Sequence, residues 1–157
     1  MPAPRSVSKR GSSLPNLDDT LPDSGSLIEW NDALSVHNSE IDAEHRHFIA
    51  LVNELNTAII SRCDKAEVER IMGLILDDAV AHFAHEERLF FERGFPLAQE
   101  HSHIHHNLSQ TLRSALEQIH QSEFGREWIA IGLAIRNQLV NHLVSVDSQY
   151  IAYLSAK

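Results

Sequence analysis

Seven side chains in this sequence can each donate a lone pair to a metal ion: His45, His82, Glu86, His101, His105, His142 and Asp147. His82 to Glu86 and His101 to His105 are gaps of four, which places each pair on one face of an α-helix. The intervals from His45 to His82 and from His105 to His142 are equal. Imidazole and carboxylate without thiolate suit iron, manganese or zinc rather than cuprous copper or an iron–sulfur cluster. Seven protein ligands exceed one octahedral ion. Two carboxylates shared as bridges, with five imidazoles divided three and two, would serve two ions and leave room for a solvent bridge and one open coordination position.

Hydrophobic periodicity supplies the elements that must carry this set. A short non-helical arm, residues 29–36, precedes a first helix for which Ser39 is the expected N-cap. Ile41, Phe48, Val52, Leu55 and Ile59 share its inner face to about Ser61. Asp64 can cap a second helix running to about Arg93, with Ile71, Ile75, Asp78, His82, Glu86 and Leu89 along one stripe. Gly94-Phe95-Pro96 stops it. A third helix over about 97–122 places His101, His105, Leu108, Leu112, Ala115 and Ile119 together. Gly125 marks the next break. A fourth, from about Arg126 to Leu154, turns Trp128, Ile131, Ile135, Leu139, His142, Val146 and Tyr153 inward. The fold class is all-α: an antiparallel up-down four-helix bundle with an N-terminal non-helical arm.

Phase sorts the histidines. His101 and His105 stack in an apolar stripe, where imidazoles need partners, and a metal supplies them. His82 and Glu86 repeat the arrangement, and a carboxylate is almost never fully buried unpaired. His142 points inward. His45 lies about 60° from the centre of its stripe at roughly 100° per residue, so phase alone does not choose it over Glu44. Asp147 lies about 140° round an ideal helix from His142. For both to bind, the fourth helix must loosen locally, as in a π-bulge. His47 and His103 should face water. His37, His106 and His120 have no partner at ligand spacing; His85 lies on the inner half of the second helix, where an ordinary structural role is favoured over hydrogen-bonding near a ligand.

The bulk numbers set limits. The 157 residues suffice for one domain with a core, and the formal net charge is −9. Residues 1–27 balance Arg5, Lys9 and Arg10 against Asp18, Asp19 and Asp23, so the excess sits on residues 28–157. An acidic body argues against nucleic acid and anionic membrane as partners. Cys63 is alone, which excludes a disulfide framework, a zinc ribbon and an iron–sulfur cluster. No apolar run reads as a membrane helix or signal core, so a cytoplasmic location is expected. Residues 1–27, rich in Ser, Pro, Gly and Asp, read as a disordered leader, with an inert extension favoured over a docking element. The bundle is assigned to residues 28–157.

The chain resembles the hemerythrins, in particular the single-domain bacterial hemerythrin-like proteins. The likeness covers residues 28–155 and rests on Trp30, the Ile41-Asp42-Ala43-Glu44-His45 segment, Asn53, the run from His82 to Glu87, Phe95-Pro96 with His101-xxx-His105, and His142-xxxx-Asp147. It implies a non-haem di-iron centre. Glu86 and Asp147 would bridge the irons with an oxo or hydroxo group. His101, His105 and His142 would complete one iron. His45 and His82 would hold the other, whose open position takes O₂. Three positions depart from the family pattern: Gln138 where Trp is common, Glu44 where Gln is usual, and Phe90 where Met is frequent. A polar Gln138 would speed autoxidation if it lies beside bound O₂; a place on the edge of the bundle, without effect, is the equal alternative.

Reversible O₂ binding, by a carrier, store or sensor, is therefore the expected function. The alternative is a di-iron enzyme handling peroxide, nitric oxide or other oxidants. A carboxylate-rich ferritin-like centre uses Glu-x-x-His, which occurs at Glu44-x-x-His47 and Glu100-x-x-His103, but both fail on helical phase.

Overall fold

Helix α1 spans Ser39–Ile60, α2 Lys65–Glu92, α3 Ala98–Gln121 and α4 Glu127–Asn141. The computed structural model that shows them describes residues 27–122 and 127–155. Helices α1 and α3 each pack against both α2 and α4, which closes an antiparallel four-helix bundle. Among the described residues there is no strand.

Local chemistry sets the helix ends. Asp64 caps α2 by accepting from the Glu67 amide, as its position predicts. At α1 the cap is Asn38, not Ser39: its side-chain oxygen accepts from the Glu40 and Ile41 amides. Asn38 also donates to the Leu154 carbonyl at 2.8 Å, a second task for which the serine hydroxyl is too short. Gly94 ends α2 in the left-handed region at φ +67°, which a glycine adopts without strain.

Two apolar clusters sit at the two ends of the bundle. The larger gathers Val52, Leu55, Ile71, Ile75, Leu112, Ile119, Ile135 and Leu139, all buried. The smaller gathers Val36, Ile41, Phe90, Phe95, Ala98 and Leu154. Asp78, expected on the inner stripe of α2, is only part-buried and faces His47 at 3.5 Å.

After α4 the helix changes pitch. His142–Val146 is a π turn, Asp147–Tyr150 a 3-10 turn, and α5 (Ile151–Leu154) resumes the α-helix. The expected irregularity between His142 and Asp147 is present. The chain end is then fixed by Asn38 and by Arg93, which donates to the carbonyls of Tyr153 and Ser155. By length and composition, Glu127–Leu154 could cross a membrane, contrary to the expectation of no such run. Its apolar side chains Ile135, Leu139, Val140, Leu143 and Leu154 are buried in the bundle.

The arm is irregular except for a 3-10 turn at Asp32–Leu34. Asp42 accepts from the Val36 amide at 2.8 Å and the Ser35 hydroxyl at 2.6 Å. Asn53 exchanges two hydrogen bonds with the backbone of Ile28. The Arg46 guanidinium lies 4.2 Å from the Trp30 ring centre. Three of the residues on which the family resemblance rests thus hold this segment down. The expected leader lies outside the described residues except for Leu27.

Candidate metal centre

The seven candidate ligands meet between the two apolar clusters, and none is more than 6% exposed. Helix α1 contributes His45, α2 His82 and Glu86, α3 His101 and His105, α4 leads into His142, and the π turn delivers Asp147. Within that turn the Asp147 amide donates to the His142 carbonyl, five residues back. The wider turn cancels the phase difference, and Asp147 Oδ1 lies 3.2 Å from His142 Nε2.

The donor atoms form two sets that share both carboxylates. One comprises Glu86, His101, His105, His142 and Asp147; the other comprises His45, His82, Glu86 and Asp147. Each carboxylate sends one oxygen to each set. Glu86 Oε2 lies 3.3 Å from His105 Nε2 and 3.9 Å from His101 Nε2. Glu86 Oε1 lies 3.6 Å from His82 Nε2 and 3.9 Å from His45 Nε2. Asp147 Oδ1 faces His142, while Oδ2 lies 3.4 Å from His45 Nε2 and 4.0 Å from His82 Nε2. The Nε2 atoms of His45 and His82 are 3.2 Å apart.

Bonds of about 2.0–2.2 Å to a shared ion separate neighbouring donor atoms by about 3.0–3.5 Å. The shorter contacts fall in that range. Both oxygens of Glu86, both of Asp147, and Nε2 of His101, His105 and His142 are buried without a hydrogen-bond partner. Each such orphan costs about 1–3 kcal/mol unless something satisfies it. Seven converging orphans of alternating acid and imidazole character fit cations held between them.

Charge agrees with that fit. Burial pushes the Glu86 carboxyl up, but His82, His101 and His105 outweigh it and hold it well below the ordinary range. Burial and the charge of Glu86 oppose ionisation of Asp147, yet His142 and His45 keep it lowered. Burial alone would lower the His82 imidazole; Glu86, Glu44 and Asp147 instead raise it to about 9. The site is a buried dianion facing imidazoles, the electrostatic complement of cations.

Aromatic side chains wall it off. Phe83 stacks on His105 with ring centres 4.1 Å apart and meets His142 edge-on. Phe90 and Tyr150 each meet His101 edge-on at 4.7 Å.

Two supporting residues escaped the sequence reading. His82 Nδ1–H donates to Glu44 Oε2 at 2.8 Å, and His105 Nδ1–H donates to Glu87 Oε1 at 3.0 Å. Burial opposes ionisation of Glu44, but the hydrogen bonds from His82 and His85 prevail and lower its carboxyl. His85, expected in an ordinary structural role, instead donates from Nδ1 to Glu44 Oε1 at 2.6 Å, behind the candidate ligand His82. Glu44 adjoins His45 and Glu87 adjoins Glu86, so each reads as an ordinary flank within its own helix. Only the neighbouring helix reveals the task.

The remaining sequence expectations divide. His47, Glu100 and His103 are exposed, so neither Glu-x-x-His motif builds a centre. Gln138 is corrected. It is exposed, in a groove between α3 and α4 with Gln110, Ser114 and Gln118, and no candidate ligand lines that groove. An amide there faces water, which removes the ground for linking Gln138 to autoxidation.

The family model for the hemerythrin HHE cation-binding domain matches residues 36–154. The chain belongs to the hemerythrin family. It is 34% identical over 79 residues to a bacteriohemerythrin of Stenotrophomonas maltophilia, covering 50% of this chain and 51% of that one. The chain thus matches about half the length of that hemerythrin relative. It is 26% identical over 123 residues to a myohemerythrin of Riftia pachyptila, covering 77% of this chain and 88% of that one. Among solved structures, a wild-type hemerythrin superposes with TM-score 0.69 at 25% identity, covering 83% of this chain and all of that one.

Proposed function

We propose that this hemerythrin-family protein holds two iron ions and binds O₂ reversibly, as a carrier, store or sensor. The observation that carries the reading is the division of oxygens: Glu86 and Asp147 each direct one oxygen to a three-imidazole set and one to a two-imidazole set. Glu86 and Asp147 would bridge the ions together with an oxo or hydroxo group. His101, His105 and His142 would hold one ion, and His45 and His82 the other. Two irons so held would supply the electrons for reversible O₂ binding at the position left open on the two-imidazole side.

The chain's own residues do the rest. Two buried carboxylates offset the ions' charge. Glu44 and Glu87 orient the rings of His82 and His105. Phe83, Phe90 and Tyr150 keep water from the imidazoles they cover. A di-iron enzyme acting on peroxide or nitric oxide at this site is less supported. Beyond the seven ligands, the one other buried carboxylate among the described residues, Asp42, is committed to the arm.

The test is optical. The iron-loaded, reduced protein is exposed to O₂, then deoxygenated, over several cycles. An absorption band that appears with O₂ and disappears on its removal is expected. Irreversible oxidation in the first cycle, with catalytic turnover of added peroxide, would favour the enzyme.

A further inference from the structure

We propose that Glu44 is a positioning residue whose carboxylate fixes His82 as an Nε2 donor and sets the reduction potential of the ion shared with His45. The inference rests on the di-iron reading above and assigns a task to a residue outside the seven ligands.

Glu44 accepts from two imidazoles at once: His82 Nδ1–H at 2.8 Å on Oε2, and His85 Nδ1–H at 2.6 Å on Oε1. An imidazole with its proton on Nδ1 has its lone pair on Nε2. On His82 that atom is turned to Glu86 Oε1 and to Nε2 of His45, inside the candidate site. The hydrogen bond therefore selects both the tautomer and the ring orientation. His45, the other imidazole of this set, has a buried Nδ1 without a partner. Glu44 is thus the carboxylate behind the two-imidazole ion, as Glu87 stands behind His105 in the other set.

A carboxylate behind a ligating imidazole makes the ring a stronger donor and favours the more highly charged state of the metal. His85 moderates this. It draws on the other oxygen of Glu44, itself 34% exposed, and its Nε2 lies 3.7 Å from the exposed Glu40. Glu40, His85, Glu44 and His82 form one file of polar groups from the surface to the site.

The experiment compares wild type, Glu44→Gln, Glu44→Asp and His85→Ala as full chains. The readouts are the reduction potential of the iron-loaded protein and the Co²⁺ affinity from chelator competition. Glu44→Gln keeps the side chain's shape but removes its charge. Its potential should move positive, and its Co²⁺ affinity should fall about 10- to 100-fold. Glu44→Asp should recover part of both. His85→Ala leaves the carboxylate to His82 alone and should move the potential negative, which keeps the test open if Glu44→Gln does not fold. Unchanged potential and Co²⁺ affinity in Glu44→Gln, or no shift in His85→Ala, would overturn the inference. A wild type that takes up fewer than two irons defeats the di-iron reading instead, and the Co²⁺ arm still reads the role of Glu44.

Discussion

The Asp147 amide donates to the carbonyl of His142, and one turn of π-helix between them brings their side chains to 3.2 Å. An α-helical ladder would leave the two about 140° apart, at 3.6 residues per turn. The centre therefore depends on a backbone irregularity held from both sides. Upstream, Ile135 and Leu139 are buried in the core. Downstream, Asn38 and Arg93 fasten the chain end.

The shared carboxylates predict an asymmetric pattern of metal loss. Glu86→Gln or Asp147→Asn should deplete both ions, because each residue serves both donor sets. His45→Ala should deplete mainly the two-imidazole side. Elemental analysis of the purified variants reads this as metal per chain; equal loss in all three would contradict the division.

Metal should also stabilise the fold. Free metal at 100 times its dissociation constant adds about 2.7 kcal/mol to the folded state. A chelator should lower the melting temperature of wild type accordingly. His101→Ala, which removes a buried candidate ligand (1% exposed), should melt close to the chelated wild type and respond little to added iron. An equal rise with iron in both proteins would exclude His101 as a ligand.

The pH dependence of the metal-free protein has a defined sign. The folded His82 imidazole is raised to about 9 from an ordinary 6.5. A raised folded value contributes stability that is complete below the unfolded value and is lost as pH rises through the folded one. His82 should therefore contribute fully below about 6.5 and lose that contribution towards pH 9. Urea unfolding of metal-free wild type and His82→Gln across this window measures it. The stability difference should shrink as pH rises, and metal loading near pH 7.5 should release protons.

Asp42 secures the arm, and its removal orphans the buried amide of Val36. Asp42→Ala should cost about 1–3 kcal/mol. The denaturant midpoint is the readout, and an unchanged midpoint would show that the arm adds no stability.

Much of this centre was legible in the sequence because helical phase is a property of one helix at a time. The His82/Glu86 and His101/His105 pairs follow from four-residue spacing; His45 and Asp147 rest partly on the family resemblance, and only with Asp147 taken as a ligand does its misfit with His142 call for the π turn. Relations between helices were not legible. Glu44 and Glu87 are recognisable only from the imidazoles on neighbouring helices that they accept from. Asn38 displaced Ser39 as a cap because the partner of its second hydrogen bond lies 116 residues away. Gln138, one turn before His142, faces the α3–α4 groove among polar side chains.

The most direct test is a crystal of the iron-loaded protein with anomalous data collected at the iron edge. Two peaks are expected, one beside His101, His105 and His142 and the other beside His45 and His82, each also bonded to Glu86 and Asp147. A single peak, or two peaks that do not share those carboxylates, would contradict the bridged di-iron centre.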